Sequence, residues 1–144
     1  MTSRLLARVP VIPFYNQVSI GDYKDTAVPD WDSASFDAGV SSSETRLLIV
    51  TCNDQDGYVI VDIRDGEPKA GYGKMVFNGT LRIDSQTLTI GPVTADPSRV
   101  MFLPRPGGWN IRVYVDPLRR ARHVTVLLED YDDPDMPNVS WMNS

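Results

Sequence analysis

The chain has very few of the residues on which most catalytic and metal sites depend. It contains one cysteine, Cys52, and one histidine, His123, in 144 residues. A single cysteine permits no internal disulfide, and its place at the end of an apolar run predicts a buried thiol. A Ser-His-acid or Cys-His site would have to use His123, which falls on a polar-facing strand position. Two candidate ligands are also too few for zinc. We therefore expect no enzymatic activity and no cofactor.

Long apolar runs are missing as well. No stretch approaches the roughly 18 residues of a membrane helix, and the apolar residues between Arg4 and Arg8 are too few for a signal peptide. No apolar pattern of helical period and helical length occurs either. We expect a cytoplasmic protein that does not contact a membrane and is not built from helices.

Charge is unevenly distributed along the chain, although the net charge is only −5. Residues 22–67 hold eleven acids against three bases, whereas residues 68–126 hold nine bases against three acids. From residue 127 to the end there are five acids and no base. If the fold gathers the acids on one face, that face could bind a basic partner. Alternatively, adjacent strands simply pair opposite charges, and the sequence leaves both interpretations open.

Short segments rich in β-branched and aromatic residues recur along the chain, each bounded by turn residues. Apolar and polar side chains alternate in residues 110–115 and 122–131, which is typical of half-buried strands. We predict an all-β protein, a single-domain two-sheet antiparallel β-sandwich over residues 1–131, followed by an acidic, loosely ordered tail over residues 132–144. The segments predicted as strands are residues 11–20, 46–52, 58–64, 74–77, 80–83, 86–90, 100–103, 110–115 and 122–131.

Two of the turns carry specific expectations. The second and third predicted strands flank a polar loop that ends in Gly57, so we expect a hairpin with positive φ at this glycine. Asn78-Gly79 is either a two-residue hairpin turn or a bulge inside one long strand.

One short helix is predicted between the first and second predicted strands. Asp30 or Asp32 can cap its N-terminus, and Gly39 can end it. Because a helix of about two turns is marginal alone, we expect Trp31 and Phe36 to pack it against the sandwich.

The helix lies within a longer pattern that begins at Tyr15-Asn16-Gln17. The Y-x-Q element, an acidic loop, the Asp30-Trp31 pair and the glycine after a short helical turn resemble the competence protein J family, whose founding members are bacterial inhibitors of a DNA-entry nuclease. The resemblance implies an inhibitor or immunity protein that blocks a bacterial nuclease or nuclease toxin by protein–protein contact. The motif residues, which we interpret as structural with Tyr15 and Gln17 as buried strand side chains, are Tyr15, Gln17, Asp30, Trp31, Phe36 and Gly39.

Carboxylates can compete with DNA phosphates for a nuclease cleft and can steer association with it. Two acidic segments contain such groups, with aromatic residues beside them as possible anchors. The predicted partner-binding residues are Asp22, Tyr23, Asp25, Asp30 and Asp32 in the first segment, and Glu129, Asp130, Tyr131, Asp132, Asp133 and Asp135 in the second.

Other functions are less well supported by the sequence. Residues 99–122 contain six arginines around Trp109 and Tyr114, which suits nucleic acid, but the pI near 4.7 opposes binding to a polyanion, so we expect no direct nucleic-acid contact. The Asp54–Asp56 loop resembles part of a calcium loop, although the sequence lacks the other acidic ligands and a solvated loop is the simpler interpretation. A sugar-, lipid- or calcium-dependent binding module and an oligomeric structural protein remain alternatives.

Overall fold

The computed structural model describes residues 4–25, 27, 29–30, 32–92, 99–129 and 131. These residues form two five-stranded sheets, with one short α-helix and one turn of 3₁₀ helix. The elements in chain order are β1 (Arg4–Val11), β2 (Gln17–Asp22), α1 (Ser33–Ala38), β3 (Val40–Ser42), β4 (Arg46–Val50), a 3₁₀ turn (Asp54–Asp56), β5 (Val59–Asp65), β6 (Lys74–Arg82), β7 (Thr87–Pro92), β8 (Arg99–Phe102), β9 (Gly108–Asp116) and β10 (His123–Leu128).

The two sheets pack face to face around one apolar core. Sheet A has the strand order β1-β5-β10-β9-β6, and sheet B has the order β3-β4-β2-β7-β8. Alternation predicts the inward residues: Ile111, Val113 and Val115 on β9 are at most 1% exposed, and Trp109 on the same strand is fully buried. The predicted all-β, two-sheet sandwich is therefore confirmed. One detail differs from an antiparallel arrangement, because β10 runs parallel to β5.

The first predicted strand, residues 11–20, in fact covers the last residue of β1, a tight turn and most of β2. Phe14 and Gln17 exchange both backbone hydrogen bonds, of 3.2 and 3.0 Å, across Tyr15 and Asn16, which have φ of 52° and 58°. Positive φ at both central residues defines a type I′ hairpin turn. Tyr15 is 78% exposed, so its interpretation as a buried strand side chain was wrong, whereas Gln17 is half-buried at the start of β2.

Two of the turn expectations can be judged from the strand order. β4 and β5 lie in different sheets, so the hairpin predicted between them is wrong, although Gly57 does have a positive φ of 102°. The chain crosses here from sheet B to sheet A through the 3₁₀ turn. Asn78 and Gly79 lie inside the continuous strand β6, whose register shift occurs earlier, between Met75 and Phe77.

The predicted helix exists, and it lies between β2 and β3 because the N-terminal strand β1 and the short β3 were missed. Asp32 caps its N-terminus, and Gly39 ends it with a left-handed φ of 85°. Phe36 is 53% exposed, so the expectation that it points inward was wrong. The carbonyl of Gly39 accepts a 3.0 Å hydrogen bond from the Val50 backbone, which attaches the end of the helix to sheet B. Trp31 lies outside the described residues.

Among the described residues, no helix has both the length and the apolar character needed to cross a membrane. The predicted tail, residues 132–144, lies outside the part of the chain that the structure describes.

Candidate partner-binding surface

The connection between β2 and β4 contains α1 and the edge strand β3 of sheet B, and part of it crosses the outer side of that sheet. Leu48 and Val50 alternate with the core residues of β4 and therefore point outward, yet they are only 2% and 3% exposed, so another part of the chain covers them. The hydrogen bonds below attach Asp25 and Asp30, which belong to this connection, to the same side of the sheet. We call the whole connection, residues 23–45, the acidic cover because it contains one lysine and five acids, namely Asp25, Asp30, Asp32, Asp37 and Glu44.

A buried arginine ties the acidic cover to the sheet. Arg46, only 7% exposed, donates from Nη1 to Ser19 Oγ at 2.6 Å and from Nη2 to the carbonyl oxygens of Asp22 and Asp25 at 2.9 and 2.8 Å. Burial lowers the pKa of Arg46, and the nearby carboxylates of Asp25 and Asp22 oppose that shift. The guanidinium thus holds the chain at two carbonyl groups while it balances part of the cover's negative charge from below.

Further hydrogen bonds fix the course of the cover. The carboxylate of Asp25 accepts from Thr45 Oγ1 at 3.0 Å and from the Ala27 backbone at 3.1 Å. Ser41 Oγ donates to the backbone carbonyl of Asp30 at 2.6 Å. Because Asp30 is anchored through its backbone, its exposed carboxylate is not needed for that anchorage.

The two acids of the helix are exposed at the surface of the cover. Asp32 Oδ1 accepts a 2.7 Å hydrogen bond from the Ser35 backbone, and this bond lowers the pKa of Asp32. Asp37 lies in the last turn, with its side chain 76% exposed and one carboxylate oxygen 3.9 Å from Arg119 Nη1. Both groups therefore present negative charge to solvent.

The first predicted set of binding residues is only partly at the surface. Tyr23 is 50% exposed, Asp25 is half-buried, and Asp30 and Asp32 are exposed. Asp22 is 4% exposed, and its Oδ1 accepts hydrogen bonds from Ser85 Oγ and from the Lys24 backbone. Its carboxylate is therefore engaged inside the protein, which leaves it poorly placed to touch a partner.

The second predicted set begins where β10 ends. Glu129 lies 2.9 Å from Arg112 Nε, and the ring of Tyr131 packs 6.2 Å from that of Trp109, with the Arg4 guanidinium 5.9 Å from its centre. These two residues are thus engaged with neighbouring side chains. Asp130, Asp132, Asp133 and Asp135 lie outside the described residues.

The two acidic segments leave the sheets at the same end of the sandwich. β2 ends at Asp22 and β10 ends at Leu128, while β6 ends at Arg82, which pairs with the start of β9. The Arg82 backbone donates a 2.7 Å hydrogen bond to the carbonyl of Glu44 in the acidic cover, which joins the two sheets at that end. The acidic cover therefore begins, and β10 ends, at the same end of the sandwich.

The outer face of sheet A pairs its charges across adjacent strands. Arg8 on β1 donates from Nε and Nη2 to the two carboxylate oxygens of Asp62 on β5, at 2.7 and 2.9 Å, and His123 Nε2 on β10 lies 2.8 Å from Oδ2. Arg4 and Asp65 also pair, at 2.6 Å, but on the core-facing side at the end of β5. Charges are thus paired across the strands of sheet A, whereas the acidic cover, attached to sheet B, carries an excess of acids.

The arginines of residues 99–122 do not form one patch. Arg99 begins β8 in sheet B, whereas Arg112 lies on β9 in sheet A beside Glu129. Arg105 covers the face of Trp109, with 4.2 Å between guanidinium and ring centre. Arg99, Arg105 and Arg112 therefore do not combine into one cationic surface.

No group of three or more His, Cys, Asp or Glu residues within the described part of the chain is arranged to hold a metal ion. Asp54 and Asp56 lie in the 3₁₀ turn, which Asn53 caps by accepting from the Asp56 backbone at 3.1 Å. Cys52 is 5% exposed, as expected for a buried thiol, and its burial raises the pKa of this group.

Two exposed apolar residues of the edge strand β8 were not among the sequence-predicted site residues. Phe102 is 72% exposed and Val100 is 38% exposed. The amino-acid sequence of β8 resembles that of any core strand. Only the position of β8 in the structure, at the edge of sheet B, shows that these two side chains face solvent.

No protein-family model matches the sequence, and no curated protein matches it significantly. The structure, by contrast, is similar to a crystal structure of ComJ from Bacillus subtilis, described as an inhibitor of the DNA degrading activity of NucA. The TM-score is 0.66 at 12% sequence identity, and the match covers 90% of this chain and 98% of that chain. This chain has the fold of ComJ. The resemblance that the sequence pattern indicated is thereby confirmed at the level of fold.

Proposed function

We propose that this protein inhibits a DNA-degrading nuclease by binding it, with the acidic cover facing the cleft in which the nuclease holds DNA phosphates. The observation that carries the proposal is the excess of acids in the acidic cover, five against one lysine, on a sandwich with the ComJ fold. The inhibitor needs no chemistry of its own, because carboxylates compete with phosphates for the same cationic groups. We place this function in the bacterial cytoplasm.

The residues proposed for contact follow from the surface described above. Tyr23, Asp30 and Asp32 are exposed, and Asp25 is half-buried beside them, whereas the buried Asp22 is left out. The C-terminal acids that follow Glu129 remain a second proposed contact, because that segment leaves the sandwich at the same end as the cover begins.

The direct test is DNA degradation by purified nonspecific nucleases, titrated with this protein. The panel consists of the DNA nucleases encoded in the same genome, above all one encoded beside this gene, together with NucA from Bacillus subtilis. Inhibition that saturates at a fixed molar ratio, together with co-elution of the two proteins, would support the proposal. Undiminished degradation by every nuclease and separate elution would contradict it.

Charge variants distinguish the two acidic segments. The pair Asp30→Lys and Asp32→Asn changes the charge of the cover by three while Asn retains the helix cap. The matched control, Asp54→Lys with Asp56→Asn, makes the same change outside the cover, in the 3₁₀ turn. We expect roughly tenfold or greater weakening for the first pair at low salt and little change for the control. Replacement of Asp130, Asp132 and Asp133 with lysine tests whether the C-terminal segment contributes to binding.

A further inference from the structure

The edge strand β8 exposes two apolar side chains on the outer side of sheet B. Phe102 pairs with Thr87 of β7, and Val100 pairs with Thr89. Directly paired residues of antiparallel strands point to the same face, and Leu88 between the two threonines is fully buried in the core. Phe102 and Val100 therefore point away from the core, on the same outer side as the acidic cover.

Tyr23 connects this apolar strip to the acidic cover. Its backbone N–H donates a 2.9 Å hydrogen bond to the carbonyl of Thr87, the residue that pairs with Phe102 on the other side. Tyr23 and Phe102 thus flank the same residue of β7, and they are 50% and 72% exposed. Since Tyr23 is also the first residue of the acidic cover, the exposed aromatic residues lie next to the start of the cover.

The packing of the sandwich core does not explain why Phe102 is present at an exposed position. The core around β7 is complete without it, because Leu88 and Ile90 are fully buried. A large apolar side chain left in water forgoes the hydrophobic stabilisation that burial would give it. Burial against a partner would recover that free energy, and protein interfaces concentrate their binding free energy in aromatic anchors of this kind, surrounded by polar groups.

We propose that Phe102, with Val100 and Tyr23 beside it, is the apolar anchor by which this protein holds a partner with a basic surface. The acids of the cover, which begin with Asp25 two residues after Tyr23, favour a basic partner over an acidic one. This inference rests on the proposed function and adds to it: the acids align the inhibitor with the cationic cleft, and Phe102 enters an apolar pocket at the margin of that cleft. The acids then determine the association rate, and the apolar side chains of β8 determine the dissociation rate.

The experiment compares variants of the exposed aromatic residues against the nuclease of the panel that the unaltered protein inhibits. Phe102→Ala removes the anchor, and Phe102→Tyr keeps the ring. Tyr58→Ala is the matched control, because Tyr58 is also an exposed aromatic, at 60%, but precedes β5 of sheet A. Association and dissociation rates are measured by surface plasmon resonance, and circular dichroism and thermal melting establish that each variant is folded.

We expect Phe102→Ala to weaken binding about 30-fold, the loss typical of a hot-spot aromatic, and chiefly through faster dissociation. Phe102→Tyr and Tyr58→Ala should stay within about threefold of the unaltered protein. If Phe102→Ala lowers the melting temperature, Phe102→Lys replaces it, since it keeps a long side chain but sets a cation against the basic partner.

The outcomes separate the two proposals. If the unaltered protein inhibits a nuclease and the alanine and lysine variants bind as tightly as Tyr58→Ala, the anchor is wrong and the inhibitor function stands. If the unaltered protein inhibits no nuclease of the panel, the proposed function is wrong and the anchor falls with it.

Discussion

Replacement of Asp62 by asparagine should destabilise the protein far more than loss of one surface ion pair would. Asp62 is 1% exposed. Its carboxylate accepts hydrogen bonds from Nε and Nη2 of Arg8 and lies within hydrogen-bond distance of His123 Nε2, with all three distances between 2.7 and 2.9 Å. Asparagine has nearly the same shape but offers one acceptor oxygen and directs an NH₂ group towards these two partners. A buried charged partner lost in this way costs about 3–5 kcal/mol. We expect about 2–4 kcal/mol because Arg8 is half exposed and can rebind water.

The pKa of Asp62 predicts how this loss of stability depends on pH. Burial of Asp62 alone would raise its pKa, but the hydrogen bonds from Arg8 and His123 outweigh burial and hold the pKa below its usual value. A carboxyl whose pKa is lower in the folded than in the unfolded state stabilises the fold above its unfolded pKa, near 3.9. That stability is lost as the pH falls through the folded pKa. The difference between the unaltered protein and Asp62→Asn should thus be full at pH 7 and shrink below about pH 4.

Urea unfolding followed by tryptophan fluorescence measures both effects. Asp84→Asn is the control, because Asp84 pairs with Arg82 at 2.9 Å while both side chains are at least half exposed. Such a surface pair contributes about 1 kcal/mol at most. If Asp62→Asn costs no more than Asp84→Asn, or if the difference between the unaltered protein and Asp62→Asn is the same at pH 3 and pH 7, the stabilising role assigned to the buried carboxylate is refuted.

Three further substitutions test the packing of the fold. Gly73→Ala would place a Cβ 2.2 Å from the carbonyl oxygen of Val115 and should cost at least about 3 kcal/mol, whereas Gly71→Ala, at nearly the same φ but with nothing within 4 Å, should cost about 1–2 kcal/mol. Equal losses in urea unfolding would contradict the close approach. Arg46→Met should cost about 2–3 kcal/mol and speed hydrogen exchange in the acidic cover more than in the core strands, because carbonyl oxygens lose their donor. Uniform exchange would argue against an anchor. Trp109→Ala should lower the free energy of unfolding by about 3–5 kcal/mol, since the ring is fully buried, and a loss below 1 kcal/mol would contradict that burial.

The fold was predictable where a local pattern decides it. The alternation of Ile111, Val113 and Val115 assigned the inner face of β9 correctly, and the cap residues Asp32 and Gly39 located α1. The turn at Tyr15 was missed because type I′ turns are recognised by Asn-Gly or similar pairs, and Tyr-Asn carries no such signal. The hairpin between β4 and β5 was wrong for a different reason. Consecutive strands usually pair, and nothing local shows that the chain changes sheet between them.

The candidate site was less predictable because burial of its residues depends on distant parts of the chain. Asp22 and Asp30 both lie in one acidic stretch, yet Asp22 is buried through a contact with Ser85, 63 residues away, whereas Asp30 stays exposed. Phe102 was predicted only as part of an ordinary strand. Its exposure follows from the strand pairing, which places it on the outer side of the edge strand β8.

The way the acidic cover is attached bears on how one fold could serve different partners. Arg46 holds the cover through the backbone carbonyls of Asp22 and Asp25, and Ser41 holds it through that of Asp30. Backbone anchors do not depend on the side chains at the surface, so an exposed position such as Asp30 can change without loosening the cover. Apolar cores likewise tolerate extensive substitution when pattern and volume are kept. The fold shared with ComJ at 12% identity therefore constrains the two sheets and their core, while the partner of the proposed inhibitor would be selected by a few exposed side chains that the fold leaves free to vary.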